Sequence, residues 1–149
     1  MNESSQVRQL LTQLFESQRL AVLATHHDGQ PHTNLVAFVA TDNLKCLLFG
    51  TNRNTRKYVN LTADSRVAML IDNSSNQISD FNNAIAVTAI GTAEEIEASE
   101  SNRLIKLYLN KHQYLQEFTS SPGFVLLKIN VDTYYISEFQ EVMEFHPRD

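Results

Sequence analysis

The sequence predicts a mainly β fold of the α+β type, in which six antiparallel strands form a closed or nearly closed barrel with helices at its periphery. Short apolar or alternating runs recur along the chain, and turn-forming residues separate them. The connections between these runs are short, which favours antiparallel neighbours. A small antiparallel sheet removes its exposed edges by closing on itself, so a barrel is the expected architecture.

An amphipathic helix is predicted over residues 3–17. Apolar residues recur there at the i, i+3, i+4, i+7 spacing that places them on one helical face: Val7, Leu10, Leu11, Leu14 and Phe15. The apolar face predicts that this helix packs on the body of the protein as a cover.

The first three strands are predicted to form a meander. Residues 19–25 and 33–40 are strand-like runs, and the Asp28-Gly29 pair between them supplies the positive φ angles that a two-residue hairpin turn requires. Asp42-Asn43 turns the chain again, into a third strand over 45–49. Each strand should therefore lie antiparallel to the one before it.

The second half of the chain continues the pattern. Strands are predicted over 66–71, 84–93 and 124–131, and a helix over 99–111. A polar loop spans 72–83, and Gly91 indicates either a bulge or a close approach of another backbone. The polar tail over 132–149 carries no pattern that assigns it to an element.

Length and composition define the class of protein. A chain of 149 residues suits a single domain over 1–149, and 42% hydrophobic with 19% charged residues is an ordinary globular composition. The net charge of -5 and the absence of tryptophan argue against a nucleic-acid module, which normally has a broad basic face. The sequence shows neither a signal peptide nor a membrane-length apolar run, so a cytoplasmic protein without membrane contact is predicted.

Metal and thiol chemistry find little support in the sequence. The single Cys46 excludes an intramolecular disulfide and a cysteine-based zinc site, and its apolar surroundings favour a small core residue. His26, His27 and His32 gather around one hairpin, with no carboxylate or cysteine at ligand spacing. Turn-exposed histidines and no metal site are therefore predicted.

A basic segment stands where the third strand runs into a short helix. Asn54 is a good N-cap residue. It would place Thr55, Arg56 and Lys57 in the first helical turn, where free N–H groups and the helix dipole attract anions. Together with Arg53 this makes three cations within five residues of an acidic chain. The segment predicts a phosphate-binding site, and the competing interpretation is the solvated face of a short helix.

Three segments match elements of one known family. Leu20–Thr25 with Asp28-Gly29-Gln30-Pro31 is similar to the opening LATxxxDGxP, and residues 34–38 follow on the next strand. Residues 49–57, Phe-Gly-Thr-Asn-Arg-Asn-Thr-Arg-Lys, are similar to FxTNxxSRK, with threonine in place of the serine. In these segments the chain resembles the FMN-binding split barrels related to pyridoxamine 5'-phosphate oxidase.

The resemblance implies a split barrel that binds FMN and assigns residues to the cofactor. Arg56 and Lys57 would make charge-assisted bonds to the phosphate, with Thr51 and Thr55 as hydroxyl or backbone donors. The strand against the flavin would offer backbone groups to the polar edge of the ring from Asn34, Leu35 and Val36. His32 is predicted to be exposed at the turn, and the resemblance offers the alternative that it faces the cofactor phosphate.

Two departures separate this chain from the true oxidases of the family. Those enzymes have arginine where this chain has Asn34 and lysine where it has Val39. The ending Glu-Phe-His-Pro-Arg-Asp also has no counterpart of the family's C-terminal substrate segment, which bears tryptophan and arginine. We therefore expect a relative of pyridoxamine phosphate oxidase and not that enzyme.

The resemblance implies a cytoplasmic homodimer that acts as an FMN-dependent oxidoreductase on an unidentified small molecule, with the flavin in a groove between two subunits. The sequence identifies no catalytic acid or base. Flavin chemistry needs few such residues, because the isoalloxazine moves the electrons. Three alternatives remain open: a haem-handling or deazaflavin-binding barrel, a flavin-binding protein without turnover, and an interaction domain without a cofactor.

Overall fold

The computed structural model describes residues 3–139 and 141–149. That part of the chain forms seven strands, five α-helices and one short 3-10 helix. The elements in chain order are α1 (Glu3–Ser17), β1 (Leu20–His27), β2 (Gln30–Ala40), β3 (Cys46–Asn52), α2 (Arg56–Ala63), β4 (Arg66–Asp72), α3 (Asp80–Asn83), β5 (Ala86–Glu95), α4 (Ala98–Lys111), the 3-10 helix (Gln113–Leu115), α5 (Gln116–Ser120), β6 (Phe124–Ser137) and β7 (Val142–Phe145).

Six of the strands close into an antiparallel barrel, which confirms the predicted fold. Their order around the barrel is β3-β2-β1-β4-β5-β6, and β6 pairs back onto β3. The ladder between β2 and β3 is short, since it joins only residues 38–40 to residues 47–49 in the described chain. Among the described residues, the part of β2 before Phe38 does not pair with the part of β3 after Phe49. The opening between these two unpaired parts is the split in the barrel wall.

The first hairpin forms as the sequence predicts. Asp28 has a φ of 49° and Gly29 a φ of 79°, so both central residues of the turn adopt the left-handed conformation. The turn closes on the His27–Gln30 pair, and β2 begins three residues earlier than the predicted residue 33. The twist of this turn matches the twist of the strands that it joins.

Gly91 confirms both possibilities that the sequence raised for it. The register between β5 and β6 shifts at Ile90 and Gly91, which marks a bulge. A Cβ atom on Gly91 would lie 2.1 Å from the backbone oxygen of Asn130, so the two backbones also approach closely. Only a residue without a side chain fits there.

The sixth strand is longer than predicted, and part of the unassigned tail forms a seventh. Val131 pairs with Gly91 and Thr133 with Ile90, so Asp132 is an extra residue that interrupts the alternation of buried and exposed side chains. Beyond it the alternation resumes, and β7 pairs with residues 134–137.

The loop at 72–83 also holds the short helix α3, before which the Asp80 carboxylate accepts backbone N–H groups from residues 75–77.

Two helices cover the barrel. Helix α1 packs on the interior, where the Phe15 ring meets the Phe38 ring edge-on at 5.9 Å between centroids. Helix α4 packs on the outside of the wall, where Leu104 and Tyr108 join a second apolar cluster with Leu48. Among the described helices, none has the length and apolar character needed to cross a membrane.

Candidate functional site

Helix α2 begins one residue later than the sequence predicts. Its N-cap is Thr55 and not Asn54, and the Thr55 hydroxyl accepts the N–H of Tyr58 at 3.4 Å. The cause lies upstream, because the Asn52 side chain accepts the N–H of Asn54 at 3.0 Å and forms a local turn before the helix. Arg56 is therefore the first helical residue, and the free backbone N–H groups at the helix start are those of Arg56 and Lys57.

Two threonine hydroxyls lie side by side at this helix start. The Thr51 and Thr55 hydroxyl oxygens are 3.0 Å apart, and the Thr55 hydroxyl also donates to the Asn52 carbonyl at 2.8 Å. Thr51 is almost fully buried at the end of β3. The structure therefore brings these two predicted site residues into direct contact.

The three cations of the segment have different partners. Arg53 forms an ion pair with Glu95 at 3.1 Å and donates to the carbonyl of Phe124 at 3.3 Å. Arg56 and Lys57 have no hydrogen-bond or ion-pair partner within the part of the chain that the structure describes. Burial lowers the pKa of Lys57, as expected for an ammonium group that loses water without gaining a carboxylate. Two adjacent cations are thus left without a counter-charge beside the helix start.

The strand that the resemblance assigns to the flavin borders the split in the barrel. The Phe38 N–H donates to the Arg19 carbonyl on the β1 side, and backbone groups alternate in direction along a strand. The backbone groups of Leu35 and Ala37 consequently face away from β1, towards the opening between β2 and β3. The Leu35 side chain is 66% exposed, whereas Val36 points into the core.

Asn34 carries a buried amide oxygen that has no hydrogen-bond partner among the described residues. Such an atom costs about 1–3 kcal/mol unless water or a ligand donates to it. Asn60 on α2 has a second orphaned oxygen, while its amide nitrogen donates to the buried Thr25 hydroxyl at 3.1 Å. This bond fixes α2 against β1.

The histidines and the cysteine have ordinary surroundings. His26 is half-buried and lies 3.2 Å from the Asp64 carboxylate, while His27 and His32 are exposed at the hairpin. Within residues 3–139 and 141–149, no three His, Cys, Asp or Glu side chains come together as a metal site requires. The prediction that Cys46 is a core residue is wrong, because it is half-buried and its thiol donates to the Asn130 side chain at 3.6 Å.

Sequence reasoning missed a group of side chains at the end of α4. His112 is buried, and its Nε2 donates to the Phe38 carbonyl at 2.7 Å. The Tyr108 hydroxyl donates to the Ala37 carbonyl at 3.2 Å, on the wall beside the split. The sequence predicts a helix over 99–111, and no sequence signal connects either side chain with β2.

A family model described as pyridoxamine 5'-phosphate oxidase matches residues 7–137, which is most of the chain. The protein belongs to the pyridoxamine 5'-phosphate oxidase family. The match runs from within α1 to the end of β6, so it includes the helix start, the split and both orphaned amides. A comparison with curated proteins found no match.

Solved structures share the fold of this family member at low sequence identity. General stress protein 26 from Bacillus anthracis is 22% identical with a TM-score of 0.71, over 94% of this chain and 98% of that one. A FAD-binding protein from Mesorhizobium loti is 16% identical with a TM-score of 0.67, over 84% and 89%. A heme binding protein from Mycobacterium smegmatis is 15% identical with a TM-score of 0.82, over 99% of this chain but only 59% of that one. These similarities establish the fold. They do not identify the ligand of this chain, which has to be inferred from the chemistry of its own residues.

Proposed function

We propose that this protein is a cytoplasmic FMN-binding protein that acts as a flavin-dependent oxidoreductase on a small molecule. The observation that carries the proposal is the adjacent Arg56 and Lys57, which have no partner in the described chain and stand at the start of α2 beside the hydroxyl pair. Membership in the pyridoxamine 5'-phosphate oxidase family and a FAD-binding structural neighbour support a flavin as the ligand.

The chemistry of the helix start suits the FMN phosphate. A phosphate monoester carries nearly two negative charges at neutral pH, and two cations with free helical N–H groups match that charge. Arg56 would bind two phosphate oxygens with its planar fork, and Lys57 would act as a point charge. FAD spreads its two negative charges over a diphosphate, whereas FMN concentrates them on one phosphate, so two adjacent cations at one helix start suit FMN.

The β2 segment suits the flavin body. The backbone of Leu35 at the split would offer a donor and an acceptor to the polar edge of the ring, and Val36 would hold the strand in place from the core. The buried Asn34 oxygen would accept a hydrogen bond from a ribityl hydroxyl or a ring N–H group, which would satisfy an atom that is otherwise unpaired. When bound, the flavin supplies the electron-transfer chemistry, and the chain binds, orients and shields it.

A second copy of the chain is part of the proposal. The strand registers place five outward-facing residues in one row across five strands: Leu35, Val22, Leu70, Thr88 and Tyr135. Leu35 and Leu70 at one end of this row are exposed to 66% and 39% in a single chain. Contiguous exposed apolar surface of this kind marks an interaction site, and a symmetric dimer would cover it and enclose the neighbouring flavin edge.

FMN titration tests the phosphate assignment. We expect the double variant Arg56→Ala, Lys57→Ala to lose at least about a hundredfold in FMN affinity, since each charge-assisted bond contributes about 1.5–3 kcal/mol. The matched control is Lys45→Ala, Lys106→Ala, which removes two exposed lysines from other parts of the surface. Equal FMN affinity of wild type and the Arg56/Lys57 variant would show that the site assignment is wrong.

The haem-handling alternative is favoured by one observation, the fold shared with a heme binding protein. A visible spectrum of the purified protein separates the two ligands, because a Soret band indicates haem and flavin bands indicate FMN. Reduction of the bound flavin by NAD(P)H and its reoxidation by an acceptor then separate an oxidoreductase from a flavin-binding protein without turnover. A colourless protein that fails to bind added FMN would favour the interaction domain.

A further inference from the structure

A pocket of about 710 Å³ lies where the connection between α1 and β1 meets the end of α4. Its volume falls in the range of sites that hold small organic ligands. Basic side chains line one part of it, namely Arg19, Lys111 and His112, and the remainder includes the apolar Leu20, Ala37 and Tyr114. The phosphate site proposed above uses none of these side chains.

The Lys111 ammonium group is held in place by two contacts. Its Nζ donates to the Phe15 carbonyl at 2.8 Å and lies 3.8 Å from the centre of the Phe38 ring. Both contacts stabilise the charged form, and together they leave N–H capacity for a ligand. Burial and the nearby Arg19 charge lower the Lys111 pKa to about 8, while Glu16 acts in the opposite direction. The group is still mainly protonated at neutral pH.

Arg19 supplies a second positive charge to the same pocket. Its guanidinium is exposed and forms no ion pair with any carboxylate within residues 3–139 and 141–149. Its charge lowers the pKa of both Lys111 and His112, so the three side chains lie within electrostatic reach of one another. Glu16 opposes the Arg19 charge at Lys111, but neither cation forms an ion pair with a carboxylate in the described chain. Two like charges that converge in this way favour the arrival of an anion.

His112 lines the pocket with a fixed, uncharged imidazole ring. Its Nε2–H donates to the Phe38 carbonyl, which fixes the tautomer, and burial is the main reason that its pKa lies below the usual range. The ring packs at 5.0 Å from the Tyr108 ring. The positive charge of the pocket therefore resides on Arg19 and Lys111.

The pocket lining also includes apolar surface that the described chain leaves uncovered. Leu20 is 54% exposed and Tyr114 is 99% exposed. Two cations together with an aliphatic and an aromatic side chain in one lining form an amphipathic site. From this juxtaposition we propose that the pocket binds an aromatic carboxylate, with its anionic group on Arg19 and Lys111 and its ring against Leu20 and Tyr114.

The position of the pocket connects it to the flavin strand. Ala37 lines the pocket and directly follows Val36, and Leu20 pairs with Ala37 across the β1–β2 ladder. A ligand in the pocket would therefore lie beside the strand that is assigned to the flavin ring. In the proposed flavoprotein the aromatic carboxylate is the substrate class, a statement that rests on the function proposed above.

Binding of 1-naphthoate tests the proposal in the protein as purified, with and without added FMN. Its neutral analogue 1-naphthamide has the same ring system and lacks the charge. We expect naphthoate to bind at least about tenfold more tightly than naphthamide. Arg19→Gln should reduce that preference several-fold, because one of the two charge-assisted bonds is lost and the bond to Lys111 remains. Lys106→Gln, an exposed lysine outside this pocket, should change neither affinity.

Equal affinities for naphthoate and naphthamide, or a preference that Arg19→Gln leaves intact, would overturn the proposal. Arg19 is exposed and unpaired, so its substitution tests binding even if Lys111→Gln, which loses the bond to the Phe15 carbonyl, fails to fold. The two proposals fail separately. Naphthoate selectivity without FMN binding would support the pocket and contradict the flavin assignment, whereas FMN binding without naphthoate selectivity would do the reverse.

Discussion

The hydroxyl oxygens of Thr51 and Thr55 lie 3.0 Å apart, one at the end of a strand and the other at the cap of the next helix. This contact joins the barrel wall to the start of α2 and so determines where the free helical N–H groups point. The position of the proposed phosphate site thus depends on the strand end as well as on the basic side chains.

Replacement of the N-cap should weaken both the helix and the proposed FMN site. We expect Thr55→Ala to lower the free energy of unfolding by about 1 kcal/mol, because the Tyr58 N–H loses its acceptor. Thr55→Ser keeps the hydroxyl and should remain close to wild type in both stability and FMN affinity. Urea denaturation and FMN titration of the two variants measure the effects, and a serine variant as impaired as the alanine variant would contradict the capping role.

The buried bond between Asn60 and Thr25 should be worth more than a surface contact. Asn60→Ala leaves the Thr25 hydroxyl without its donor, and we expect a loss of about 1–3 kcal/mol in the free energy of unfolding. The double variant Asn60→Leu, Thr25→Val removes both polar groups and should be less destabilised than the single Asn60→Leu. A double-mutant cycle from chemical denaturation gives the coupling energy, and purely additive effects would show that the bond contributes little.

Two glycines provide a matched comparison of steric and conformational costs. A Cβ on Gly91 would lie 2.1 Å from a backbone oxygen, so Gly91→Ala should cost about 3 kcal/mol or more through a forced shift of β5 against β6. Gly29 has a φ of 79° with no atom within 4 Å of the added Cβ. Gly29→Ala should therefore cost only about 1–2 kcal/mol, the strain of the left-handed conformation. Similar unfolding midpoints for the two variants would contradict this account.

The fold could be predicted from the sequence because its main signals are local. The Asp28-Gly29 turn and the alternating strands identified six strands of the barrel, and helix α1 has the predicted bounds. The sequence signals failed where the end of an element depends on contacts or irregularities that the local pattern does not show. The extra residue Asp132 concealed the second half of β6, and the Asn52 side chain moved the N-cap from Asn54 to Thr55.

The candidate site divides in the same way. The basic residues at the start of α2 lie in one continuous segment, so their motif was visible in the sequence. The pocket could not be predicted, because Arg19, Ala37 and His112 come from three segments that are far apart in the chain. Each is unremarkable alone, and only the packing of α4 against the barrel brings them together.

The exposed row on the sheet should mediate dimerisation. We expect Leu35→Glu to convert a dimer to a monomer, because it introduces a charge into an apolar interface that one chain leaves uncovered. Ile78→Glu is the control, since Ile78 is 86% exposed in the loop before α3. Sedimentation velocity of wild type and both variants measures the effect. A wild type that is monomeric at all concentrations would contradict the prediction, as would a dimeric Leu35→Glu variant.

Lys111 should make the stability of the folded protein depend on alkaline pH. Its pKa falls from an ordinary value of 10.5 to about 8 in the folded state, mainly through burial. Below pH 8 the group is protonated in both states, and the full cost of burying the charge is present. Between the two pKa values the unfolded state binds more protons than the folded state, so the free energy of unfolding rises with pH.

The variant Lys111→Met isolates this contribution, because every other titrating group is common to the two proteins. From about pH 7.5 to about pH 10.5 we expect wild type to gain about 1–2 kcal/mol relative to the variant, less than the full shift implies because the lysine retains some contact with solvent. Urea denaturation at both pH values measures the difference. A stability difference that stays constant with pH would show that the Lys111 pKa is not lowered. If the variant instead became more stable relative to wild type as the pH rises, the charged form would be favoured in the folded state. The bond to the Phe15 carbonyl and the contact with the Phe38 ring would then outweigh the cost of burial.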